Sequence, residues 1–146
     1  MKQLLLGALL LCILFSCKKE DGFDFAQYPQ KWQLVKMAGQ IPNSETTGAN
    51  MAWQEFYLLR ADGTFKKSRE RNGQVTEASG TYTIVTLADS KYLKLTYESD
   101  NSLIGSCTQE PTEELAFRPD NKLISSWQAC DGPGLEYSRI TAKISE

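Results

Sequence analysis

The chain has 146 residues, with 16 Lys and Arg against 18 Asp and Glu and no histidine. That length fits one domain, and a net charge of −2 speaks against a nucleic-acid binder working through a basic field. Without histidine there is no Ser-His-Asp triad, Cys-His dyad, His-ligated zinc or imidazole pH switch. The cysteines Cys12, Cys17, Cys107 and Cys130 include no C-x-x-C pair, which argues against a thioredoxin-like redox centre or a structural zinc site.

Lys2 is the only charge before Lys18, and the run 4–15 carries no strongly polar group. It falls short of the ~20 residues an ordinary membrane span needs. A basic start and a short apolar run read as a secretory signal peptide. Leu14-Phe15-Ser16-Cys17 then resembles a bacterial lipobox, in the looser form of Bacteroidota lipoproteins. The resemblance implies that Cys17 receives a diacylglyceryl group, becomes the new N-terminus and is N-acylated, with chains such as palmitate. Several acyl chains, at ~0.8 kcal/mol per buried CH₂, make a firm membrane anchor. Lys18-Lys19-Glu20-Asp21 resembles the signal that sends such lipoproteins to the outer face of the outer membrane; by itself it reads as a solvated tether. The expected organisation is a signal peptide at 1–16, a lipidated tether at 17–23 and a β domain at 24–146, in the envelope of a bacterium.

Beyond Asp21 the apolar residues alternate with polar ones, the period of strands. Eight strands are expected, at 31–37, 53–60, 65–71, 76–86, 91–98, 114–118, 122–128 and 135–143. Asp62-Gly63 and Asn72-Gly73 between strand-like runs are strong hairpin signals, because their residues tolerate positive φ. Asp89-Ser90, Pro119-Asp120-Asn121 and Asp131-Gly132-Pro133-Gly134 supply further turns. Regular short strands with tight turns indicate an antiparallel up-and-down barrel or a sandwich, and closure into a barrel removes exposed edges. The long connection 38–51 has a loop composition and is either a lid or a surface excursion.

Tyr28-Pro29-Gln30-Lys31-Trp32, with Gly80-Thr81-Tyr82 and Tyr137-Ser138-Arg139-Ile140, resembles the lipocalin-like domains of bacterial lipoproteins. Gln30 stands where that family usually carries Gly. The resemblance implies an all-β, eight-stranded calycin-type barrel over about residues 24–143. It also implies that Trp32 closes the barrel base against Arg139, by a cation–π contact.

Cys107 and Cys130 remain after lipidation, in a compartment that permits disulfides. A bridge between them is expected; two free thiols or a redox-responsive pair are the alternatives. No catalytic residue, metal ligand set or cofactor motif stands out, and the chain is read as a monomeric non-enzyme. Glu113 and Glu114 are adjacent, so a strand would send them to opposite faces, and solvated charges are the simpler reading. In 65–71 the parity of Phe65 carries Lys67 and Arg69. Unpaired buried cations are costly, so this strand is expected to stand in water. The alternative puts Lys67 and Arg69 in the cavity, facing an anionic ligand. Trp53, Tyr57 and Trp127 are the aromatic candidates for a half-wet pocket. The leading expectation is a small hydrophobic or amphipathic ligand inside the barrel. The alternative is a filled barrel whose loops meet a partner protein or host molecule.

Overall fold

Between Arg71 and Gln74 the chain reverses in two residues, Asn72 and Gly73, with φ of 54° and 76°. Two successive left-handed residues form the turn whose twist suits a hairpin. A computed structural model describes residues 26–141. The signal peptide, Cys12, Cys17 and the tether lie outside the described residues. The strands are β1 (Gln30–Ala38), β2 (Thr46–Thr47), β3 (Gln54–Leu59), β4 (Thr64–Arg71), β5 (Gln74–Leu87), β6 (Ser90–Tyr97), β7 (Thr112–Arg118), β8 (Lys122–Ser125) and β9 (Gly134–Ile140).

Every neighbouring pair is antiparallel, and β9 returns to pair with β1. The result is the expected closed eight-stranded up-and-down barrel, with the two-residue β2 as an extra strand on β1. Several boundaries shift by one to three residues from the sequence reading. The strand expected at 122–128 stops at Ser125, and Trp127–Cys130 form a 3₁₀ turn instead. The strand expected at 76–86 runs from Gln74 to Leu87, because the tight Asn72-Gly73 turn lets pairing start at once.

Simple alternation puts Met37 on the face opposite Trp32 and Leu34. A register shift between Leu34 and Lys36 inserts Val35 as a bulge, which returns Met37 to the interior. The core holds Trp32, Leu34, Met37, Leu59, Phe65, Leu93, Leu95, Leu115, Leu123 and Leu135. Trp32, Phe65, Leu93, Leu95 and Leu123 are 0% exposed, so no space the size of a water molecule borders them. Gly80 lets β5 cross the core tightly: a Cβ there would stand 2.0 Å from the Thr96 carbonyl oxygen and 2.9 Å from the Phe65 ring.

Strand direction gives the barrel two ends. The base carries the start of β1 and the turns at 60–63, 88–89 and 119–121. The rim carries the connections 39–53, 72–73, 98–111 and 126–133. The connection 39–53 is neither a free excursion nor an unattached lid. Its β2 residues pair with Lys36 and Met37, Met51 is buried in the core, and the Gln40 side chain donates to Gly132 O at 2.6 Å.

Candidate functional site

Five strands send polar side chains into the rim half of the barrel. Glu55 and Tyr57 come from β3, Lys67 and Arg69 from β4, Tyr97 from β6, Glu113 from β7 and Tyr137 from β9. Register sets the first neighbours: Glu55 is opposite Arg69, and Tyr57 is opposite Lys67. Residues directly opposed across a ladder share a face, so all four point inward together.

The ammonium of Lys67 is fully enclosed. It lies 2.8 Å from Glu113 Oε1 and 3.4 Å from Glu55 Oε1, and it donates to the Leu103 carbonyl at 2.6 Å. The first and third of these are hydrogen bonds, and Glu55 adds a second carboxylate charge beside the ammonium. Arg69 donates through Nε to Glu55 and reaches the Leu103 carbonyl at 3.4 Å. Glu113 Oε2 accepts from Tyr57 at 2.7 Å and from Tyr97 at 2.5 Å, and Oε1 accepts the Gly105 N–H. Tyr137 donates to Glu55. Two cations face two carboxylates, so this interior is electrically balanced. That balance is what makes burial tolerable, since an unpaired charge in the same place would cost several kcal/mol.

The tyrosines are fixed as donors. Burial, then the nearby Glu113 charge, pushes the hydroxyls of Tyr57 and Tyr97 well above the ordinary tyrosine range. Burial and the Glu55 charge do the same to Tyr137. The Tyr57 and Tyr137 rings also pack edge to face, with centroids 5.0 Å apart.

Backbone from the connection 98–111 closes the network towards solvent. Leu103 is buried there, and Gly105 lies beneath Trp127. A Cβ on Gly105 would come within 2.6 Å of the Trp127 ring, and one on Gly132 within 2.4 Å. The indole is thus held between two strips of bare backbone. Cys107 and Cys130 form the expected disulfide beside it, with Cα atoms 5.6 Å apart.

No family model, no curated protein and no solved structure matches this chain. The candidate residues therefore stand on their geometry. Trp32 and Arg139 are directly opposite in the β1–β9 ladder at the base. The Trp32 ring meets Phe117 edge-on at 5.9 Å, and its indole N–H is 3.3 Å from the Gln30 amide oxygen. Gln30 thus has a buried role. Arg139 donates to the Gln27 carbonyl at 2.9 Å.

The other candidates divide. Lys67 and Arg69 do point inward, which corrects the expectation of a strand standing in water; only the hairpin beyond them, from Glu70 to Glu77, is exposed. They do not await an anion, because Glu55 and Glu113 already hold them. Tyr57 is buried among them rather than lining a half-wet pocket. Trp53 and Trp127 are half-buried at the rim. The Arg69 guanidinium lies 4.4 Å from the Trp53 ring centre, and that of Arg71 lies 5.7 Å away. Beside Trp53 an open depression of about 500 Å³ runs between Gly48–Gln54 and Glu70–Asn72.

Glu55, Glu113, Tyr97 and Tyr137 were not among the candidates, and solvation was the wrong reading for Glu113. The signal was present in the parity. Glu55 shares a face with Tyr57 and Leu59, and Glu113 with Leu115 and Phe117. A carboxylate on the apolar parity of a strand marks a buried partner elsewhere in the chain.

Proposed function

We propose that the chain is a bacterial envelope lipoprotein, anchored by lipid on Cys17, whose lipocalin-like barrel is a filled scaffold. Its rim loops make the functional contacts, with a partner protein or host molecule. One observation carries this reading: the balanced Glu55–Lys67–Glu113–Arg69 network occupies the rim half of the barrel, where a lipocalin-type ligand would enter. A second supports the orientation. The chain enters the barrel at the base, so an anchor near residue 17 leaves the rim as the end farther from the membrane. Ile41 and Val75, 73% and 59% exposed, stand at that rim. A small ligand finds room outside the barrel, in the open depression beside Trp53.

Native mass spectrometry of the domain purified from its own envelope tests the filled barrel. The bare mass is expected; a stoichiometric co-purifying small molecule would overturn the reading. Photo-crosslinkers at Ile41 and Val75 on the rim, and at Leu87 on the base, test the orientation. Adducts confined to the rim positions are expected, and adducts at Leu87 alone would reverse it. Palmitate labelling should vanish in Cys17→Ala; labelling that persists defeats the anchor.

A further inference from the structure

The connection 98–111 holds the ionic core with its backbone. The Leu103 carbonyl accepts from Lys67 and Arg69, and the Gly105 N–H donates to Glu113. The buried Leu103 side chain seats the segment like a plug. Near the plug's tip, two features fasten it to the neighbouring rim turn between β8 and β9. Trp127 lies across Gly105, and the disulfide joins Cys107 to Cys130 in the turn that carries Trp127. Both cysteines are exposed at the surface. Exposed disulfides are the class most open to thiol exchange.

We propose that the Cys107–Cys130 disulfide is a redox latch on this plug. Reduction releases the segment 103–107 and the Trp127 turn from each other, and opens the ionic core to water while the barrel stays closed.

The chemistry needs a dithiol reductant. One of its thiolates attacks an exposed cysteine sulfur, the Sγ–Sγ bond breaks, and the electron pair leaves on the other cysteine. The second thiol of the reductant then displaces the mixed disulfide. Two electrons and two protons end on Cys107 and Cys130, and the reductant departs as its own disulfide.

The opening is local because the bridge joins a loop to a turn. The intervening β7 and β8 are held independently, β7 by its ladder to β6 and β8 by its ladder to β9. Once the plug lifts, Lys67 loses a carbonyl acceptor and Glu113 loses an amide donor. Water can replace both, so the open state leaves no charge stranded.

Hydrogen exchange read by mass spectrometry on the full chain tests the latch, comparing the oxidised protein with protein reduced by dithiothreitol under native conditions. Amides at 103–107 and 127–132 are expected to exchange roughly tenfold faster or more after reduction, with β1, β3 and β6 still protected and the change reversed on reoxidation. Cys107→Ser/Cys130→Ser should reproduce the reduced pattern without reductant; if that variant does not fold, the reduced wild-type chain alone decides. Unchanged exchange at 103–107 after complete reduction would show that the plug needs no latch. Simultaneous loss of protection in all strands would show a general cross-link. Either result overturns the proposal.

Discussion

Glu113→Gln is the sharpest probe of the buried network. The side chain is 3% exposed, and four donors converge on it: Tyr57, Tyr97, the Gly105 N–H and Lys67. A glutamine keeps one acceptor oxygen and replaces the other with a donor NH₂ group. At least one tyrosine or backbone donor then meets another donor. The charge count falls from two cations and two carboxylates to two cations and one, and the only carboxylate left beside Lys67 is Glu55, at 3.4 Å. Removing one partner of a buried pair costs about 3–5 kcal/mol, because the remaining charge is stranded.

Lys67→Met unbalances the interior in the opposite sense and should cost a similar amount. The double variant Glu113→Gln/Lys67→Met restores neutrality, leaving Glu55 with Arg69. Its cost should fall below the sum of the single costs by more than about 1 kcal/mol. Urea unfolding followed by far-ultraviolet circular dichroism measures all three, with the slopes compared to confirm a common unfolded state. Single costs under about 1 kcal/mol, or additivity within ~0.5 kcal/mol, would refute a dry, coupled network.

Gly80→Ala should destabilise by about 2–3 kcal/mol or more, because its Cβ would stand 2.0 Å from the Thr96 carbonyl and the β5–β6 ladder must part; an unchanged urea midpoint would refute the tight crossing. Tyr57, Tyr82, Tyr97 and Tyr137 all have raised folded-state hydroxyl pKa values. Their contribution to stability is therefore constant below the unfolded tyrosine value of about 10 and is lost as pH rises above it. Tyrosinate absorbance followed beside circular dichroism should show these four ionising only as the fold is lost; reversible ionisation of all six tyrosines in folded protein near pH ~10 would contradict it.

The fold was legible because its determinants are local. Alternation is a property of neighbours along one strand, and the Asn72-Gly73 turn needs only residues that accept positive φ. The Val35 bulge was not legible, because period two predicts an unbroken alternation and only pairing with β9 selects the extra residue. The first half of the turn, Trp127 and Gln128, reads as strand for a similar reason. Its residues suit a pleat, but the disulfide and the two glycines packed on Trp127 take them out of the ladder.

The histidine-free composition and alternating pattern, by themselves, determined an all-β chain without imidazole chemistry, and the adjacency of Glu113 and Glu114 determined that a strand would split them between two faces. Only the tertiary structure decided which carboxylate went inside. Lys67 and Glu113 lie 46 residues apart in the chain, and Glu55 and Tyr137 82 apart. Burying a charge depends on partners that closure of the barrel brings within hydrogen-bond reach, and no local pattern records that distance.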